Sequence, residues 1–99
     1  MYQATLKVAG GKLLRVKMEI ENMDEDLVIQ SISLTGDFFL HPEDVLPEVE
    51  KALVGLPLNA DEDTYMHPIQ KVLDARGAKF IGVAPLDIAQ AILMAKESA

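Results

Sequence analysis

Few side chains in this 99-residue chain could do chemistry, and their spacing narrows them further. The two histidines, His41 and His67, each stand directly before a proline. Asp37, His41 and Glu43 could be drawn as an acid–base or metal cluster. Their spacing matches no ligand pattern, such as two histidines one helical turn apart. A loop histidine, beside acids that suit a helix start, is the simpler reading. Gly10-Gly11-Lys12 lacks the length and the Ser/Thr of a phosphate-binding loop, and it joins two strands instead of leading into a helix. A hairpin turn fits it better. Ser31 and Ser33 lie on a strand with no histidine near them in sequence, so neither has a base to activate it. Asp61-Glu62-Asp63 shares only its sign with a calcium loop, whose alternation, glycine and terminal Glu are missing. The chain has no cysteine, which excludes disulfides, thiol nucleophiles and cysteine-held metals. No catalytic, cofactor-binding or metal-binding residue is assigned on this basis.

The elements that would position any site can be read from periodicity. Residues 2–8 alternate, with Tyr2, Ala4, Leu6 and Val8 on one face. Residues 13–21 alternate more cleanly, Leu14, Val16, Met18 and Ile20 against Arg15, Lys17, Glu19 and Glu21. Residues 27–35 are rich in β-branched side chains and form a third strand. Its expected core face is Val28, Ile32 and Leu34, with Gln30 an awkward member. Short turns between the three strands imply an antiparallel meander, apolar on one face.

The rest of the chain supplies helices to cover that face. Pro42-Glu43-Asp44 puts acid at a helix start. Pro47 restrains Leu46 and gives no backbone donor, so a turn at 43–46 should pass into a helix from Pro47 to about 54. Val45, Val49, Ala52, Leu53 and Leu56 fall at helical spacing, and Gly55 is an end signal. Asn59 or Asp61 can cap a second helix ending at Arg76-Gly77, with Tyr65, Ile69, Val72 and Leu73 buried and Pro68 kinking or restarting it. Residues 78–83 read as an extended link. Pro85 suits the first turn of a last helix over 85–97. That helix is apolar nearly all round, so it is buried on more than one side or meets a partner. The expected class is α+β: a three-stranded antiparallel meander, then about three helices packed on one face, in one domain over 1–99.

Composition agrees with a folded domain, being 49% hydrophobic and 25% charged. The net charge of −7 is uneven: residues 36–65 hold eight acids against Lys51 alone. Such a field disfavours nucleic acid and anionic membrane as partners and reads otherwise as a solvated face. No apolar run approaches the roughly 18 residues of a membrane span. With no cysteine and no signal-like N-terminus, a cytoplasmic location is expected.

The most unusual stretch is Leu34-Thr35-Gly36-Asp37-Phe38-Phe39-Leu40-His41-Pro42. It holds two of the three phenylalanines, side by side after a glycine at a strand end. Two readings stand: both rings are buried by local folding, or one packs under the first helix while the other meets a ligand or another chain. Gly36, Asp37, Phe38, Phe39 and His41 are therefore the candidate partner interface.

At this segment the chain resembles a known family. Gly10-Gly11-Lys12-Leu13-Leu14-Arg15-Val16, the run from Leu34 through Asp44, and Glu48-Val49-Glu50-Lys51-Ala52-Leu53 are similar to the accessory (C-terminal) domain of lipoate–protein ligases. A weaker similarity resumes over Gly82-Val83-Ala84-Pro85-Leu86-Asp87-Ile88-Ala89. The resemblance implies a NifU-like scaffold fold, without the cysteines that a cluster would need. It also implies a non-catalytic accessory subunit, in bipartite ligases a separate small chain, and a start on the first strand fits that form. Its partner would be a large catalytic subunit, forming a heterodimer that activates lipoate with ATP to lipoyl-AMP before transfer to a lysine of a lipoyl acceptor domain. ATP, magnesium and lipoate are implied for the assembled ligase and none for this chain alone. No catalytic residue carries over. The alternative is a protein-binding adaptor of similar fold unrelated to lipoylation.

Overall fold

Alternating apolar residues build the floor of the molecule. The computed structural model describes residues 2–8, 10 and 12–98. Strands β1 (Tyr2–Val8), β2 (Lys12–Met23) and β3 (Asp26–Gly36) form an antiparallel meander in the order β1-β2-β3. Leu14, Val16 and Met18 on β2 are buried, as are Ile32 and Leu34 on β3. Of the expected Gly10-Gly11 turn, Gly11 lies outside the described residues.

The core face of β3 departs from simple alternation. Ile29 is fully buried and Val28 only half-buried, the reverse of the sequence expectation for Val28. The cause is a β-bulge: Glu19 pairs with Ser31 but Ile20 pairs with Ile29, leaving Gln30 as the extra residue. A bulge shifts the two-residue period by one, so the apolar side chains before it change parity. Gln30 is exposed and never had to enter the core.

After β3 come a short strand β4 (Phe39–His41), a 3-10 turn at Glu43–Val45, and helices α1 (Leu46–Leu53) and α2 (Glu62–Arg76). Strand β5 (Lys79–Ile81) and helix α3 (Pro85–Lys96) complete the chain. The peptide between His41 and Pro42 is cis. Helix α1 packs on β3, α3 packs on β1 and β2, and α2 packs across α1 and α3. Much of the apolar surface of α3 is thus answered within the chain, while Leu86 and Met94 stay exposed. Ile88, Ala89, Ala91, Ile92 and Ala95 are all fully buried between the sheet and α2. No described helix is long and apolar enough to cross a membrane.

The chain between α1 and α2 closes the β3 edge. Gly55 donates to the Ile29 carbonyl at 2.8 Å, Ile29 to Leu56 at 3.0 Å and Leu58 to Leu27 at 2.9 Å. Farther along, the Glu50 carboxylate accepts the Leu34 N–H at 2.8 Å. Several edge groups that could recruit a foreign strand are thereby occupied. The Tyr65 hydroxyl fastens the same segment, lying 2.6 Å from the Pro57 carbonyl and 2.8 Å from that of Leu58. Burial raises the Tyr65 phenol above its ordinary pKa.

Helix α2 begins at Asp61, whose carboxylate accepts from the Thr64 N–H at 3.0 Å and the Thr64 hydroxyl at 2.8 Å. The Thr64 hydroxyl, then its N–H, hold the Asp61 pKa below the usual value. A lowered folded-state pKa stabilises the native chain above the unfolded pKa, and the benefit disappears as pH falls through the folded value. Asp61→Ala is therefore expected to lower the melting temperature at neutral pH. Circular dichroism melts should show that difference shrinking in acid. Pro68 does not interrupt α2, which is continuous from Glu62 to Arg76. Its fixed φ suits a helix, and Tyr65 and Ile69, both fully buried, anchor the turns on either side.

Candidate functional site

The link expected over 78–83 contains β5, which pairs antiparallel with β4: Phe39 with Ile81, Leu40 with Phe80 and His41 with Lys79. In such a ribbon the directly opposed residues share a face. Leu40 and Phe80 turn inward and are buried. Phe39, His41, Lys79 and Ile81 turn outward and are exposed. The outer face therefore carries an apolar pair, Phe39 at 70% and Ile81 at 55% exposure. Contiguous exposed apolar side chains are candidates for a contact surface.

The two phenylalanines part company at this ribbon. Phe38 is half-buried and its ring meets Phe80 edge-on, with centroids 5.7 Å apart and planes at 64°. Phe38 thus packs on β5, where the β4–β5 pairing places Phe80 beside it. Phe39 points to solvent. Beside it lies an open groove of about 390 Å³, lined chiefly by Leu34, Gly36, Phe38, Phe39, Leu40 and Leu46.

Gly36 sets this corner. Its φ is +143°, and a Cβ there would lie 2.1 Å from the Leu13 carbonyl oxygen. That oxygen accepts the Asp37 N–H at 2.8 Å. Only glycine lets β3 end this tightly against β2 and release the chain towards β4. Gly82 serves the other side: with φ +98°, it runs 3.3 Å (ideal Cβ position) from the Asp37 carbonyl oxygen.

Of the five residues expected at an interface, Phe39 and His41 share the outer face of the ribbon, and Asp37 is exposed beside it. Gly36 and Phe38 support the ribbon from behind. Ile81 was missed in the sequence; its only signal is the apolar pair Phe80-Ile81 just before Gly82. Among the described residues, no three His, Asp or Glu converge as a metal site. His67 is exposed on α2, and Ser31 and Ser33 are exposed on β3.

Neither a protein-family profile nor a curated protein matches the chain. A solved structure does. The chain is similar to a chain of an archaeal lipoylation system from Thermoplasma acidophilum, described as a bipartite lipoate protein ligase and its E2 lipoyl domain. Identity is 29%, the TM-score is 0.71, and 93% of each chain is covered. The likeness includes the three-stranded antiparallel sheet with three helices.

Proposed function

We propose that the chain is the non-catalytic accessory subunit of a lipoate–protein ligase. It acts in the cytoplasm with a large catalytic subunit in ATP-dependent activation of lipoate to lipoyl-AMP, ahead of transfer to a lysine of a lipoyl acceptor domain. The observation that carries this reading is the likeness, over nearly the full length of both chains, to a chain of a bipartite lipoate ligase system. ATP, magnesium and lipoate would be held by the catalytic partner.

The contact would be made by the outer face of the β4–β5 ribbon. Phe39 and Ile81 supply its apolar centre, His41 and Lys79 its polar border, and the adjoining groove a recess for a partner side chain. An acyl-adenylate is a mixed anhydride that water destroys, so the site that makes it must be closed while it forms. A rigid ribbon docked at the rim of that site would hold a mobile loop shut and release it for transfer.

The test combines this chain, a catalytic subunit lacking its own accessory domain, ATP, magnesium and lipoate. Lipoyl-AMP is expected only when both chains are present, with the intact mass of this chain unchanged. Turnover by this chain alone, its own lipoylation, or a catalytic subunit working at full rate without it would overturn the reading.

A further inference from the structure

One face of the three-stranded sheet has no helix over it. Thr5, Arg15 and Thr35 form one cross-strand row on that face and Gln3, Lys17 and Ser33 the next, all of them exposed. Lys7 lies diagonally from Arg15, at the separation of roughly 7–8 Å usual for such neighbours. The face is polar, with hydroxyl, amide, ammonium and guanidinium groups at its centre and a hollow along Gln3, Thr5, Arg15 and Lys17.

Its charge runs against that of the molecule. Lys7, Lys12, Arg15 and Lys17 all precede Met18, and all sixteen acids follow it. Because the whole chain is −7, these four positive charges leave −11 for the remainder. Three of them, Lys7, Arg15 and Lys17, share the uncovered face and repel one another there, whereas Lys12 has the parity of the core-facing Leu14. No acid forms an ion pair with them among the described residues. Among the described residues the single ion pair is Arg76 with Glu48, on other elements. Glu19 marks the far boundary of the cationic patch on β2.

We propose that this uncovered face docks an acidic surface of the lipoyl acceptor domain. The inference rests on the accessory-subunit reading and extends it to the protein substrate. A cationic, polar surface gives fast, salt-sensitive encounter more than lasting affinity. That suits a protein substrate that arrives, is modified and leaves. The permanent partner has the apolar Phe39–Ile81 pair instead. Thr35 borders both surfaces, lining the groove and closing the Arg15 row, so an acceptor on the sheet would sit beside a catalytic subunit on the ribbon. A compact acidic patch fits the face, whereas an extended polyanion such as nucleic acid would run on to the −11 remainder and be repelled.

The experiment uses the assembled two-chain ligase and the unmodified acceptor domain, comparing wild type with Lys7→Glu/Arg15→Glu/Lys17→Glu. Lipoyl-AMP formation should be unchanged. KM for the acceptor should rise about tenfold or more, with kcat for transfer little changed, and the difference should shrink at high salt. If the reversed variant does not fold, the three glutamine substitutions are compared instead, with a smaller rise of the same kind. An unchanged acceptor KM would overturn the proposal. So would loss of adenylation in a folded variant, which would assign the face to the catalytic subunit. Binding of the wild-type chain through this face to a DNA duplex or anionic vesicles would also overturn it. A wild-type chain that adds nothing to adenylation would instead overturn the accessory-subunit reading itself, before any variant is compared.

Discussion

Gly36→Ala is expected to cost about 2–4 kcal/mol of folding free energy, a large share of what a domain of this size has. Two effects add. The backbone at φ +143° is open to glycine and strained for any L side chain. The new Cβ would also meet the Leu13 carbonyl oxygen at 2.1 Å. Both are backbone-fixed positions in paired strands, so no rotamer change relieves the overlap. The end of β3 must separate from β2, breaking the Asp37 N–H bond to Leu13 and displacing Phe38 and Phe39. A thermal melt should show a fall on the order of 10 °C or more. Adenylation with a catalytic subunit should fall with it. A melting temperature equal to wild type would show that this corner gives way, and that Gly36 does not set the ribbon.

How far the sequence could be read depended on the range of the interactions involved. Strand alternation in β1 and β2 is local, and it identified Leu14, Val16 and Met18 as core. Helix α3 was legible because a nearly uninterrupted apolar composition demands burial on several sides, and the sheet and α2 provide it. Gln30 was a misfit in the expected core face, and the misfit was the trace of a bulge. Its consequence, Ile29 in place of Val28, follows only once the register is known. Strands β4 and β5 left almost no trace. Each has three residues, too few for a period, and their pairing joins Phe39–His41 to Lys79–Ile81 across two helices. Nothing local near Ile81 announces Phe39. The resemblance drew attention to the right loop, but it could not say which ring faces outward. That depends on Phe80 being present to receive Phe38.

This division of the two rings gives the second large effect, because substitutions at neighbouring positions should fail in different ways. Phe39→Ala removes a ring that is 70% exposed, so the melting temperature should scarcely move. If Phe39 anchors the ribbon to the catalytic subunit, the complex should weaken by about 2 kcal/mol, roughly thirtyfold in Kd. Ile81→Ala should weaken it less. The double variant should fall short of the sum, because the two side chains are directly opposed in one patch. Phe38→Ala should show the opposite pattern. It removes a half-buried ring and its edge contact with Phe80, at a stability cost of about 2–3 kcal/mol. Its effect on association should follow the fraction folded. Titration calorimetry against the catalytic subunit, alongside melts of each variant, separates the two roles. A folded Phe39→Ala chain that binds as tightly as wild type would remove the ribbon from the interface. The likeness to the lipoylation system would still stand, but the contact would have to be sought on another face.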